Sequence, residues 1–338
     1  MPGTRFASYL RKHPVLCLLL LTPGIPEYLS GSSPLNAIVL NPGGFFFQLV
    51  ANLGLYGPGV LLVREAKVRW KKGWATVLAL GAAYGILEEG VALSTLFNPN
   101  AGPVGALGTY GHWVGVNWVW VAAIVPVHMI FSISIPIMIL GLALPSTVGR
   151  EFLGGRKLAA AIVILSADVA LLFVLIVKGV GFWMGWPVLL GSFGAIAALV
   201  LLGRRLEPRA IKARGSNPNA GPWKLALVGV VFYPCVLLSQ GLAEGAGVPA
   251  SIDFFLVILV QGLFLLYVVR VIGSSGSERN RIAFAFGLIV PIAAIGVIAE
   301  ATLPLNLIAD AVWIVAFRKV WRNYPSQALP PEAPAVPS

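Results

Sequence analysis

The sequence predicts an all-α membrane protein, a polytopic bundle of about ten transmembrane helices. Three observations lead to this prediction: long apolar runs recur along the chain, 58% of its 338 residues are hydrophobic and only 11% are charged. The mean hydropathy of +0.86 agrees with them. A helix needs about 20 mostly apolar residues to cross the hydrocarbon core. These runs leave no room for a large water-soluble domain, so we expect a single transmembrane domain over residues 1–324.

Ten apolar segments define the predicted helices. We place them at 14–29, 43–64, 74–96, 117–144, 158–178, 182–203, 223–243, 252–272, 282–299 and 303–320. The first segment has the basic flank and apolar core of a signal peptide, but no small-residue cleavage site follows it, so we interpret it as a retained helix. The stretch 325–338 is rich in Pro and Ala, which predicts a disordered cytoplasmic tail.

The Lys and Arg residues predict the orientation. They cluster before the first segment and after the second, fourth, sixth, eighth and tenth, whereas the loops 30–42, 97–116, 244–251 and 300–302 contain none. Because cytoplasmic loops carry the excess of Lys and Arg, we expect both termini on the cytoplasmic side of the cell membrane. The same rule accounts for the net charge of +11. We therefore expect membrane lipids, and not nucleic acid, as partners.

Ionisable residues inside the apolar segments are few. Adjacent glutamates, Glu88 and Glu89, lie in the third segment and His128 lies in the fourth, while Glu27 and Glu300 lie nearer the outer interface. A charged group in hydrocarbon costs a few kcal/mol or more, so such residues face protein or a water-filled cavity. These positions are therefore the candidates for a functional site.

The depth of these residues predicts that they meet. Glu88 lies ten residues before Asn98, and His128 lies eleven residues after Asn117 on the oppositely directed helix. At 1.5 Å per residue, both are about 15–16 Å from the outer ends. Gly81 and Gly85 form a small-residue seam that lets another helix approach closely. The polar residues that could support Glu88, Glu89 and His128 are Asn117 and Ser132 on the fourth segment and Asn306 and Asp310 on the tenth.

The chemistry of a Glu-Glu-His set suits two kinds of site. Adjacent glutamates on a helix point about 100° apart, so one can face a metal or water while the other supports it. Two carboxylates and an imidazole around a water suit a zinc site or a general-base site. The structural alternative is that buried Glu and His side chains only hydrogen-bond helices together.

At these residues the sequence resembles the CAAX-protease and bacteriocin-processing (CPBP/Abi) intramembrane metalloproteases. Their pattern has Glu-Glu-x-x-x-Arg on one membrane helix and Phe-x-x-x-His on the next conserved one. Here "EEGVAL" supplies Glu88 and Glu89, with Leu93 at the Arg position. "IVPVH" supplies His128, with Ile124 at the Phe position.

The third motif of that superfamily is His-x-x-x-Asn or His-x-x-x-Asp. Here "NLIAD" places Asn306 at the His position and Asp310 as its partner. The resemblance implies an intramembrane protease in which a glutamate activates water, with Glu88, Glu89 and His128 as catalytic residues and ligands of a Zn²⁺ ion. It implies a membrane peptide as substrate. A degenerate relative without activity is an alternative.

Two further hypotheses do not use the resemblance. Membrane carboxylates and a single membrane His suit the proton relay of a proton-coupled transporter for a small molecule. Prolines within the helices suit its alternating access. The other hypothesis is a non-catalytic membrane scaffold whose buried polar residues only pack helices.

Overall fold

The computed structural model describes residue 9 and residues 12–208, 221–275, 278–300 and 303–324. The predicted tail, 325–338, lies outside the described residues. So do Arg5 and Arg11, and the basic residues between 209 and 214.

Helices occupy all ten predicted positions in the described residues. They are α1 (Pro14–Pro23, continued by π-helical Gly24–Leu29), α2 (Pro42–Arg69), α3 (Trp74–Gly85, continued by π-helical Ile86–Ala92), α4 (Trp118–Val127, π-helical His128–Ser134 and Ile135–Ala143), α5 (Gly155–Leu175, continued by π-helical Ile176–Val180), α6 (Trp186–Arg205), α7 (Pro222–Gly245), α8 (Ala250–Ser275), α9 (Glu278–Ala299) and α10 (Asn306–Arg322).

The described residues form an all-α helical bundle, and the length and composition of its helices are those of a multi-pass membrane protein. Across the described ranges, the eight helices α2–α9 are long and apolar enough to cross a membrane. The first helix, Pro14–Leu29, is apolar but shorter, and α10 has 17 residues.

Short elements fill the loops. Residues Ala37–Leu40 form one α-helical turn, and Gly102–Gly108 and Pro145–Thr147 are 3-10 helices. Strands β1 (His112–Trp113) and β2 (Val116–Asn117) pair in antiparallel register.

Four ionisable residues within the predicted membrane segments lie on π-helical backbone. Glu27, Glu88, Glu89 and His128 all belong to π-helical stretches of α1, α3 and α4. Such turns are rare in proteins and occur frequently at functional sites. The irregular backbone therefore coincides with the ionisable residues of the candidate site.

Proline accounts for part of the irregularity in α4. Pro126 has no N–H, so the Ala122 carbonyl four residues earlier loses its helical donor. The side-chain amide of Gln261 on α8 donates to that carbonyl at 2.8 Å. The Gln261 side chain thus supplies the hydrogen bond that the Ala122 carbonyl could not obtain from hydrocarbon.

Buried apolar side chains of the described residues form two large clusters. One joins α7, α8, α9 and α10, with Phe232, Val257, Phe284 and Phe317 among its members. The other joins α2, α3, α5 and α6. Both clusters include residues of α1 and α4. These two helices therefore lie at the centre of the bundle, where the predicted site is found.

Candidate functional site

Close packing of α3 on α4 brings the predicted residues together. A Cβ atom added at Gly85 would lie 3.2 Å from the Cβ of His128, and one added at Gly81 would lie 3.0 Å from the Cα of Met129. The predicted small-residue seam is confirmed. It places the π-helical end of α3, which carries Glu88 and Glu89, directly against His128.

The imidazole of His128 lies between the two carboxylates. Its Nδ1 is 2.9 Å from Oε2 of Glu88, and its Nε2 is 2.8 Å from Oε1 of Glu89. Glu88, Glu89 and His128 are 2%, 7% and 3% exposed. The predicted meeting of these residues is confirmed, and they meet inside the bundle and away from lipid.

Neighbouring hydroxyl groups orient this trio. The Ser132 Oγ lies 3.0 Å from Nδ1 of His128, and the Thr95 hydroxyl donates to Oε2 of Glu89. The indole N–H of Trp120 donates to Thr95 at 3.3 Å. Contacts with Thr95 and Ser132 thus fix the orientation of Glu89 and His128. Such supporting hydrogen bonds are typical of residues whose orientation matters for chemistry.

Glu88 differs from Glu89 in its partners. Its Oε2 is buried and has no hydrogen bond of acceptable geometry, although Nδ1 of His128 is close to it. The buried Tyr84 hydroxyl interacts electrostatically with Glu88 and is also without a well-formed hydrogen bond. Glu88 thus has Nδ1 of His128 and the Tyr84 hydroxyl as polar neighbours, whereas Glu89 is held by the Thr95 hydroxyl and Nε2 of His128.

A third acid reaches the site from α1. The Tyr56 ring stacks on His128 with centroids 6.2 Å apart, and its hydroxyl donates to Oε1 of Glu27 at 2.5 Å. Ser33 donates to the other Glu27 oxygen at 2.6 Å, and Asn52 donates to Ser33 at 2.9 Å. Glu27 interacts electrostatically with both Glu88 and His128.

The contact of Glu27 with this site was not predicted. Glu27 lies two residues before the end of the first predicted segment, which placed it near the outer interface. The sequence does carry a signal for this contact. Glu27 follows two prolines, Pro23 and Pro26, near the end of an apolar helix, and prolines there prevent the helix from staying regular.

Asn117 supports the fold and does not touch the trio. Its side-chain oxygen accepts from the Trp120 N–H at 2.9 Å, which caps the start of α4. Its amide donates to the carbonyls of Leu107 and Gly108. Asn117 was expected to support the trio. Instead it is the N-cap of α4, a position that Asn favours, and it lies eleven residues before His128.

Asn306 and Asp310 lie on α10, which packs on the π-helical end of α1. The Asn306 N–H donates at 2.9 Å to Glu300, whose other oxygen accepts from the Asn36 N–H at 3.1 Å. Among the described contacts, neither Asn306 nor Asp310 has a hydrogen bond or ion pair with Glu88, Glu89 or His128. The structure does not bring this predicted third motif into contact with the trio.

The charge balance of the site is unusual. Three carboxylates, those of Glu27, Glu88 and Glu89, surround one imidazole, and within the described residues no Lys or Arg forms an ion pair with any of them. Uncompensated charge is expensive in a membrane interior. Bound protons or a bound cation must supply the balance.

The trio also has the donors for a metal ion. One ligand atom from each of Glu88, Glu89 and His128 lies within 4.8 Å of the others. Imidazole and carboxylate are zinc ligands at about 2.0–2.2 Å, so tetrahedral ligands lie about 3.3 Å apart. The contacts of 2.8 and 2.9 Å use different ring nitrogens of His128, so an ion bound to one nitrogen would require the carboxylate at the other nitrogen to turn toward it. Glu88, Glu89 and His128 are therefore the residues that could hold a metal ion, and Zn²⁺ is an ion that accepts these donors.

Comparisons of the chain with protein-family models, with curated proteins and with solved structures give no match. The resemblance to the CAAX-protease superfamily rests on the motif residues alone and stays a prediction.

Proposed function

We propose that the chain is an intramembrane hydrolase that cleaves peptide bonds at Glu88, Glu89 and His128. The observation that supports this most directly is the position of His128, whose two ring nitrogens face two buried carboxylates. Paired carboxylates and an imidazole are the groups that move protons in hydrolysis. Their burial on irregular backbone is costly, which favours a functional reason over a purely structural one.

Each residue has a role in this proposal. The Glu88 carboxylate, which lies beside Nδ1 of His128, is the base that takes a proton from water. Glu89 orients His128, and the imidazole balances negative charge as it develops. The Tyr84 hydroxyl, which lies beside Glu88, is the donor for an oxyanion. A Zn²⁺ ion held by the trio would polarise the peptide carbonyl and acidify a bound water.

The setting of the proposal is a cell membrane crossed ten times, with both termini in the cytoplasm. The distribution of Lys and Arg among the loops supports this orientation. Crossings by α1 and α10 raise the number from eight to ten and place both termini on the side of the Lys/Arg-rich loops. The substrate is then a membrane-embedded peptide that reaches the trio from within the bilayer.

The test combines metal content with cleavage. Detergent-purified wild type should hold about one zinc per chain, and His128→Asn should hold none. In proteoliposomes containing a panel of quenched-fluorescent transmembrane peptides, Glu88→Gln and His128→Asn should slow cleavage by at least about 10²-fold. Glu207→Gln, which changes an exposed carboxylate, is the matched control. Equal rates in wild type and both site variants would contradict the proposal and favour a scaffold.

A second candidate is a proton-coupled transporter of a small molecule. The observation that favours it is the hydrogen-bonded network from Asn52 through Ser33 and Glu27 to Tyr56, whose ring stacks on His128. Uptake driven by a pH gradient, and abolished by Glu27→Gln without any cleavage by the wild type, would replace the hydrolase proposal with this one.

A further inference from the structure

A groove separate from the Glu-Glu-His trio runs along the opposite face of α4. Its volume is about 930 Å³. We call it the lateral groove, and residues of α3, α4, α8 and α9 form most of its wall. The apolar wall includes Leu78, Met129, Met138, Ile258, Leu265 and Leu288.

The lateral groove continues onto the outer surface of the bundle. Ile258 and Leu265 on its wall are 46% and 44% exposed, and Trp74 is 38% exposed. A Cβ added at Gly262 would meet nothing within 4 Å. In a membrane, such a surface is in contact with acyl chains, so a lipid can enter the groove from the side.

The length of the lateral groove suits a lipid of one leaflet. Along α4 it extends from Pro126 to Leu142, which is about 24 Å of helix. One leaflet contributes about 15 Å of hydrocarbon. The groove therefore has room for an acyl chain and for the region where the headgroup begins.

Cations collect at one end of the lateral groove, beside the Lys/Arg-rich loops. Arg64, Lys67 and Arg281 line this end together with one acid, Glu278. Arg64 is already paired with the buried Glu65 at 3.0 Å, and Arg281 is paired with Glu278 at 2.9 Å.

Lys67 is in a different position from these arginines. Its ammonium lies over the Trp74 ring, 4.6 Å from the centroid, and within the described residues it forms no ion pair. Lys67 is therefore the cation that remains to bind an anion at this end of the groove.

We propose that the lateral groove binds one anionic glycerophospholipid from the leaflet on the side of the Lys/Arg-rich loops. Its acyl chain lies along the apolar wall, and Lys67 binds its phosphate. A basic end joined to an apolar wall is complementary to an anionic amphiphile. Because α4 belongs to both apolar clusters, this lipid would fill the space between the α3 side and the α8–α9 side. The proposal does not depend on hydrolysis at the trio.

Native mass spectrometry can count the lipid. The full chain would be exchanged into detergent containing equal amounts of phosphatidylglycerol and phosphatidylcholine, and retained lipids would be identified. Wild type should retain one phosphatidylglycerol per chain. Gly262→Trp should retain none, because the indole fills the groove. The control Gly194→Trp lies on the exposed face of α6, where a Cβ also meets nothing, and should behave as wild type.

The charge variants test the headgroup site. Lys67→Gln should still retain a lipid but lose its preference for phosphatidylglycerol by about fivefold, the equivalent of about 1 kcal/mol per basic residue. Lys71→Gln removes the same charge from an exposed loop position outside the groove and should keep the preference. Equal retention of the two lipids by wild type, retention of lipid by Gly262→Trp, or a peptide retained in place of the lipid would overturn the proposal.

Discussion

His128 Nε2 lies 2.8 Å from Oε1 of Glu89, although 39 residues separate them in the chain. The contact depends on Gly85, since a side chain there would stand between α3 and α4. A glycine on one helix thus determines how closely the imidazole on the next approaches two carboxylates. The consequences can be tested at the seam, behind the trio and at the helix ends.

The close packing of α3 on α4 at Gly85 can be tested with a variant that should destabilise the protein. In Gly85→Val the new Cβ would lie 3.2 Å from the Val125 carbonyl oxygen and from the His128 Cβ, and the added methyl groups would come closer still. Overpacking of this kind costs about 1–3 kcal/mol. The apparent Tm in detergent should fall, and zinc should be lost with it. Gly191→Val, at an exposed glycine with open space around it, should leave both unchanged.

Thr95 should affect the trio without touching a substrate. Thr95→Val removes the hydroxyl that donates to Glu89 and frees that carboxylate to rotate. Loss of such a supporting hydrogen bond weakens metal affinity by about 10–100-fold. Competition with a fluorescent chelator would measure the change. Thr109→Val, at an exposed loop position, is the control. Unchanged affinity in Thr95→Val would show that Glu89 is not a ligand.

Replacement of Glu65, at the Lys/Arg-rich end of α2, should strongly lower the stability of the protein. Its buried carboxylate contacts Arg64 at 3.0 Å and Arg69 at 3.3 Å, and it accepts from the Phe152 N–H at 2.8 Å. Glu65→Gln would leave the buried Arg64 without its counter-ion, which costs about 3–5 kcal/mol. Glu151→Gln removes the 54% exposed partner of Arg69 and should cost about 0–1 kcal/mol. Unfolding in a graded denaturing detergent would compare the two.

The contact of Gln261 with Pro126 can be tested by a double-mutant cycle. Gln261→Leu removes the donor to the Ala122 carbonyl and should cost about 0.6–1.7 kcal/mol. In a Pro126→Ala background the helix regains an N–H for that carbonyl, so the same change should cost much less. Equal costs in both backgrounds would mean that the Gln261 bond does not compensate for the proline.

The orientation can be measured by labelling single cysteines. Cys17 and Cys235 would first be replaced by serine. In whole cells, a membrane-impermeant thiol reagent should label Val114→Cys, which lies in a loop without Lys or Arg. Gly154→Cys, beside Arg150 and Arg156, should be labelled only after the cells are opened. Both positions are exposed. The reverse pattern would place the termini outside.

Much of this fold follows from local sequence. Apolar segment length predicts each helix within a few residues, because a hydrocarbon environment permits little other than helix. Depth counting from Asn98 and Asn117 also predicts that Glu88 and His128 reach one level. Helix ends were harder to predict, since they depend on individual contacts. For example, α2 continues to Arg69, where Arg69 pairs with Glu65 one turn earlier.

The sequence by itself determined the fold class, the helix positions and the level at which Glu88, Glu89 and His128 meet. These properties follow from hydropathy and the rise of a helix, which are local quantities. Only the tertiary structure decided that Glu27 joins the trio through Tyr56, that Asn117 caps a helix, and that Asn306 and Asp310 lie elsewhere. Which faces of distant helices touch depends on packing between segments far apart in the chain, and periodicity within one segment does not encode it.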